Sequence, residues 1–417
     1  MKTAVVLGGT VPHIDLICQL KERGFKTVLV DYGANPPAKP YADEHIMEST
    51  LDKEAVLEIA KAHNADIVIS TSVDQANVVC CYVAEKLGLP HPYSYETALD
   101  VTDKVRMKAI MHQNGIETSR HISISEFEEL KSADLRFPIM IKPADSNSAK
   151  GVKKAENITE AEADFELAKG YSRNGMVIAE EFVEGPEISA YGYICGNEPH
   201  VIMIQERIST YDGADKVIKC YASLAPARIS EKAKENAAKT LMQIAKAFKL
   251  DNTPLFFQGI VRGDDISVIE FAPRTGGGIS TQTMKKAANF DFISASIDSW
   301  LGNQPDFTNS HPVSRLYAVN QVYADTGVIG AICGWDELEK DGLIDIISFY
   351  RGVHAKTDAS SAGASRVFVM VVSGDNEKQI KEKIGAVFSR IDVLDENGRS
   401  IIRKDLNLAD IEFASIE

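Results

Sequence analysis

The run Phe256-Phe257-Gln258-Gly259-Ile260-Val261-Arg262, Gly263-Asp264-Asp265, Ile266-Ser267-Val268-Ile269-Glu270-Phe271, then Ala272-Pro273-Arg274-Thr275-Gly276-Gly277-Gly278, decides how the chain is read. Its two apolar arms flank a glycine–aspartate turn, which predicts a hairpin of 256–262 with 266–271. Gln258 and Glu270 lie twelve residues apart, one on each arm, so pairing the arms can set them side by side. Their oxygens are hard ligands suited to Mg²⁺. Arg274 follows four residues after Glu270, and then come Thr275 and three glycines. A cation, a carboxylate and exposed backbone amides suit phosphoryl-transfer chemistry. The same residues also make an ordinary hairpin with a flexible turn, and the stretch alone leaves both readings open.

Upstream, Arg136-Phe137-Pro138-Ile139-Met140-Ile141-Lys142-Pro143 ends an apolar strand on a lysine. A lysine there is costly to bury unless an anion pairs with it, and a phosphate is a natural partner. The loop Ala144–Val152 follows, with Ser146, Ser148, Lys150 and Gly151; its small residues and hydroxyls let backbone amides approach phosphate oxygens. No GxxxxGK[ST] occurs, which excludes a P-loop ATPase. Met176–Glu181 reads as a strand leading into Phe182-Val183-Glu184-Gly185-Pro186-Glu187. Glu180, Glu181 and Glu187 are candidates to read a ribose, with the backbone edge and Phe182 beside adenine; each is equally an ordinary surface acid.

The first hundred residues alternate strand and helix: 3–7, 13–23, 27–30, 52–63, 66–70 and 74–87. This predicts an α/β layer with a parallel sheet. Gly8-Gly9 and Asp31 invite a dinucleotide site, but the GxGxxG pattern is incomplete. Asp74 follows Thr71-Ser72-Val73 at the carboxyl end of a strand, where open α/β sheets bind ligands; the alternative is a helix N-cap.

Composition narrows the rest. The chain has 417 residues, 45 Lys and Arg against 60 Asp and Glu, and a net charge of −15. That balance argues against a nucleic-acid partner. No apolar run is long enough to span a membrane, and the N-terminal stretch is too short for a signal-peptide core. Six scattered cysteines without CxxC spacing predict reduced structural thiols and a cytoplasmic protein. The nine histidines form no HxxxH pair. Beyond residue 306, short strands and a helix at 377–391 make a mixed tail; Lys216 and Lys219 are candidates for a mobile substrate loop, with a solvated charge run as the favoured alternative, and His354 is a candidate for substrate contact, with a structural histidine as the favoured alternative.

In this order the motifs resemble the ATP-grasp superfamily, and in particular its carboxylate–amine (L-amino acid) ligases. The resemblance covers about residues 1–300 and rests on Asp103-Lys104, the 137–143 strand, the loop ending Lys150-Gly151-Val152, Glu180–Glu187, and Ile269–Arg274. It implies an N-terminal parallel-sheet α/β domain (1–98), a two-part ATP-grasp domain (99–306) and a small C-terminal α+β domain (307–417). It implies that Lys104 and Lys142 hold ATP phosphates under the loop of Ser148 and Lys150. The Glu181 carbonyl and Val183 amide would read adenine, Glu187 the ribose. Gln258 and Glu270 would hold Mg²⁺, for which Mn²⁺ can substitute. Arg274 would steady a phosphorylated intermediate, with Gly276, Gly277 and Gly278 beside the acceptor.

Ala272 stands where the family often carries Asn, which leaves one or two metal ions open. Ser148 and Ala149 replace the usual Gly and Ser. The implied reaction is attack of a small carboxylate on the γ-phosphate, release of ADP, and displacement of phosphate from the acylphosphate by an amine. The implied partners are therefore small molecules, with a homodimer by analogy only. Alternatives are a purine-pathway ligase such as glycinamide ribonucleotide synthetase, a biotin-carboxylase-like enzyme, or a non-catalytic ATP-binding sensor.

Overall fold

The computed structural model describes residues 2–146, 150–213 and 216–411. The strand Lys2–Leu7 is buried at every residue but its first, as a strand covered on both faces must be. It pairs in parallel with Phe25–Val30 on one side and Ile67–Ile69 on the other, and Glu44–Ile46 adds the edge. The helices Val11–Glu22, Lys53–Ala62 and Asp74–Leu87 complete the alternation read from the sequence. The third helix stops at Gly88, whose φ of +67° disfavours any side chain.

His13, on the first of these helices, is fully buried. Its Nδ1 lies 2.9 Å from Thr10 Oγ1 and its Nε2 3.2 Å from Ser70 Oγ. Burial holds its pKa down from 6.5 to about 4. The unfolded chain therefore binds the proton first, so the stability held above pH 6.5 is lost as pH falls toward 4. We expect about 3 kcal/mol to be lost over that window. Urea midpoints measured against pH should show it, and His13→Gln should flatten that segment of the curve.

Two further sheets follow. A small antiparallel one takes the order His121–Ile124, Val177–Glu181, Ile139–Pro143, Lys153–Ala155, with the helix Ile158–Tyr171 packed on it around Phe165. The large sheet has eight strands, in the order Asp265–Ala272, Thr253–Arg262, Glu187–Cys195, Glu198–Asp212, Val217–Ala225, Leu316–Tyr323, Arg366–Gly374 and Ile346–Phe349. All its pairings are antiparallel. The last three strands come from the tail, so the tail prolongs the sheet that carries the 256–271 hairpin. A three-stranded sheet (Lys356–Thr357, Gly327–Cys333, Asp392–Asp395) and the helix Glu377–Arg390 pack beside them.

One apolar core joins the N-terminal sheet to the large one, running from Leu16 and Leu20 to Ile293, Ile297 and Trp300. Polar contacts pin the same junction: Arg23 to Asp298 at 2.6 Å and Gln19 to Asp291 at 3.1 Å. Among the described residues no helix is long and apolar enough to cross a membrane, and the six cysteines are unpaired.

Candidate functional site

The hairpin forms as the sequence predicts, with arms Thr253–Arg262 and Asp265–Ala272. Gln258 stands directly opposite Glu270, and a register shift follows at Gly259. Ser189 is opposite Gln258 on the next strand, and Gln205 opposite Ser189 on the one after. Directly paired residues share a sheet face, so Glu270, Gln258, Ser189 and Gln205 make a polar row across it. Ser189 Oγ is buried without a hydrogen-bond partner. Among the described residues, no three His, Cys, Asp or Glu side chains converge. The row therefore offers two hard-oxygen side chains, Gln258 and Glu270, a partial shell of the kind Mg²⁺ completes with phosphate oxygens and water.

Lys104 approaches this pair from the N-terminus of the helix Lys104–Gln113. Asp103 caps that helix by accepting from the amides of Val105 and Arg106. Lys104 Nζ lies 3.8 Å from Glu270 Oε2 and donates to the Ser146 carbonyl at 2.7 Å. One lysine thus touches both the acid of the hairpin and the start of the small-residue loop. Ser148, expected on that loop, lies outside the described residues. Lys150 is exposed, and Gly151 has a φ of +70°.

Lys142 is buried, and its partner in the structure is Glu180, at 2.5 Å. Lys108 reaches the other oxygen of Glu180 at 2.8 Å, and Ser119 Oγ donates to the same oxygen at 2.9 Å. Burial alone would push the Glu180 carboxyl up, but the two ammonium groups overcome it and hold it far below the carboxylate range. Lys108 is pushed down by its own burial, opposed by Glu180. The arrangement carries a net positive charge. Glu180 has no oxygen left for a ribose; its role is to hold Lys142. Lys108 escaped the sequence reading, although it follows Lys104 by four residues and so shares its helix face.

At the rim of the small sheet, Glu181 is held by Arg136 at 3.0 Å and Arg120 at 3.6 Å, and the Phe182 amide donates to the Pro138 carbonyl at 2.9 Å. These bonds fix the backbone of Glu181–Val183, where the sequence placed the adenine edge. Lys154 Nζ stands 4.2 Å from the Phe182 ring centroid. Glu187 opens the large sheet opposite and accepts from Arg207 Nε at 2.6 Å and from Ser209 Oγ at 3.4 Å. Arg207 also went unread in the sequence. Lys219, a candidate for a mobile loop, is instead fully buried against Asp212 at 2.5 Å: it sits inside the strand Val217–Ala225, where an ammonium must be paired.

Arg274 leaves the hairpin and meets the first turn of the helix Asp74–Leu87. Its Nε and NH2 reach the two oxygens of Asp74 at 2.6 and 2.7 Å, and its guanidinium stands 5.2 Å from the Phe256 ring. Asp74 is not the helix cap: Val73 holds that position, and Asp74 is free to grip the arginine from the first turn. Thr71 Oγ1 meets Thr275 Oγ1 at 2.5 Å, Ser72 donates to the Gly276 carbonyl at 3.0 Å, and Tyr93 donates to the Pro273 carbonyl at 3.2 Å. The glycine run is consequently packed rather than a loose turn. A Cβ at Gly276 would fall 2.4 Å from Ser280 Oγ and 2.7 Å from Tyr191. Gly277 and Gly278 are exposed beside it. Asp74, Arg274, Gly276, Gly277 and Gly278 thus gather where the strand ends of the first sheet meet the hairpin's exit.

Residues 135–283 match the ATP-grasp domain family. The chain is 23% identical over 361 residues to an L-arginine-specific L-amino acid ligase of Bacillus subtilis, a match spanning 83% of this chain and 84% of that one. An L-amino acid ligase structure from Bacillus licheniformis superposes with a TM-score of 0.79 at 17% identity, covering 95% of this chain and 99% of the other. A phosphoribosylglycinamide synthetase from Anaerococcus prevotii gives 0.74 at 19%, covering 94% and 99%. Residues 135–283, which carry the hairpin, Lys142 and the glycine run, therefore form an ATP-grasp domain, and the chain resembles the carboxylate–amine ligases along most of its length.

Proposed function

We propose that the protein is a cytoplasmic ATP-dependent carboxylate–amine ligase that activates a small carboxylate, a candidate being an amino acid, as its acylphosphate and passes the acyl group to an amine. The observation that carries the reading is the convergence of Glu270 opposite Gln258, Lys104 within 3.8 Å of Glu270, and Arg274 locked on Asp74 at the end of the same hairpin. ATP would lie between the two sheets, its adenine at the Glu181 carbonyl and Val183 amide and its ribose at Glu187. Lys104, Lys142 and Lys150 would neutralise its phosphates. Mg²⁺ held by Gln258 and Glu270 would supply charge neutralisation on the phosphate oxygens. Arg274 would orient the carboxylate so that one oxygen attacks the γ-phosphorus as ADP departs. The amine then bonds to the acyl carbon, the phosphate leaves with the electron pair of the broken C–O bond, and the nitrogen releases a proton.

The test is phosphate release from Mg·ATP across amino acids, dipeptides and small carboxylates, with product masses recorded. ADP plus a new amide is expected; ATP bound without phosphate release in any combination would overturn the reading. Asp74 acts as a positioning residue for Arg274. Asp74→Ala leaves that guanidinium unpaired, and we expect kcat to fall about 10²-fold while the Kd for ATP stays within about twofold. Equal losses in kcat and ATP affinity would assign Asp74 a general structural role instead.

A further inference from the structure

On the far side of the glycine run the tail presents a second polar cluster. Tyr350 Oη and Gln321 Oε1 are both buried, and neither has a hydrogen-bond partner. The phenol points at the run: a Cβ at Gly278 would stand 2.9 Å from Tyr350 Oη. Burial pushes the phenol up, and Arg366 and Gln321 act against it. The Arg366 guanidinium stacks 5.4 Å from the Tyr350 ring. Among the described residues, no carboxylate lies within ion-pair reach of the Arg366 guanidinium; its neighbour is the Tyr350 side chain. Arg351 is its neighbour, pushed down by burial and by the charge of Arg366. Among the described residues, the Arg351 side chain donates to the carbonyls of Lys356, Gly363 and Arg366 and to no other group.

Two neighbouring guanidiniums without a carboxylate, together with a buried phenol and a buried amide oxygen left unpaired, cost stability in the free protein. A cation–π contact explains the stacking of Arg366 but satisfies neither Tyr350 nor Gln321. A ligand with an anion and an N–H at short separation satisfies all three: the anion takes the guanidinium and the phenolic O–H, and the N–H donates to Gln321 Oε1. Arg274, held by Asp74, precedes the glycine run in the chain, and Tyr350 adjoins Gly278 at the end of the run, with Gly277 and Gly278 exposed.

We propose that Arg366, Tyr350 and Gln321 seat the attacking amine substrate by its carboxylate, which makes that substrate an amino acid. The inference rests on the ligase reading above. The reacting atoms are those already given, and the cluster supplies only binding and direction.

Hydroxylamine, a nucleophile without a carboxylate, separates the two proposals. Wild-type protein with Mg·ATP and an activating L-amino acid should form the hydroxamate. Arg366→Gln should form it at the same rate and with the same KM for the activated acid. With L-alanine as the amine, Arg366→Gln should raise its KM by about 10- to 100-fold, the strength of a charge-assisted hydrogen-bonded pair. Wild-type should favour L-alanine over L-alaninamide, and Arg366→Gln should lose that preference. Tyr350→Phe, which keeps the ring for Arg366 to stack on, should weaken L-alanine alone by several-fold. If the hydroxamate forms but Arg366→Gln raises the KM of the activated acid, or leaves that of L-alanine unchanged, the seat is misassigned. If wild-type forms no hydroxamate with any acid, the ligase reading falls and this inference falls with it.

Discussion

Glu270→Gln is expected to lower ATP-dependent product formation by about 10²–10³-fold, the loss seen when one preorganised electrostatic contact to a charged transition state is removed. The substitution keeps the side chain's shape and its place opposite Gln258 while removing its charge. Lys104, 3.8 Å away, then has a neutral neighbour, so ATP itself should still bind. The measurement is a pair: the Kd for ATP without divalent metal, and kcat over a Mg²⁺ titration. The first should change little and the second should require far more metal. An unchanged Mg²⁺ dependence would remove Glu270 from the metal site.

The largest expected effect on stability falls on Glu180. Glu180→Gln leaves Lys108 and Lys142 buried together without their shared counter-ion. Removing one partner from a buried charge network costs about 3–5 kcal/mol, and here two like charges are left facing each other. The loss should appear in urea unfolding as early melting of the small sheet, followed by proteolysis within residues 121–181. Adding Lys108→Met should restore much of it, because one lysine beside a glutamine is easier to bury than two. A variant no less stable than wild type would mean that the triad is solvated in solution. ATP should protect Glu180→Gln more than wild type, since a phosphate can take the partner's place at Lys142.

The sequence made the parts of the site that depend on short-range rules readable. The hairpin turn at Gly263-Asp264 and the count between Gln258 and Glu270 set their pairing, because strand register carries one residue of each arm opposite the other. The helix Asp74–Leu87 was readable to the residue, because Gly88 permits the left-handed stop. What stayed hidden depends on distant partners. Lys108 looks like any helical lysine until Glu180, far along the chain, closes on it. Asp74 looks like a cap until Arg274, two hundred residues on, takes both its oxygens. Lys219 closes the stretch Tyr211–Lys219, whose Asp212, Gly213, Asp215 and Lys216 suggest a loop, and its pairing to Asp212 inside the sheet shows that it belongs to a strand. The tail's membership of the large sheet is likewise invisible locally, since Leu316–Tyr323 pairs with Val217–Ala225 across about a hundred residues.

That last pairing bears on how the protein can be dissected. Ending the chain near residue 306 would keep the hairpin, the lysines and Arg274, yet strip Val217–Ala225 of its neighbour from Ala222 to Ala225. The alternate backbone donors and acceptors along that stretch would then be unmet at the edge of a mostly buried strand. Such an edge recruits further chains. A shortened catalytic fragment should therefore aggregate on expression, even though it contains every residue assigned to ATP.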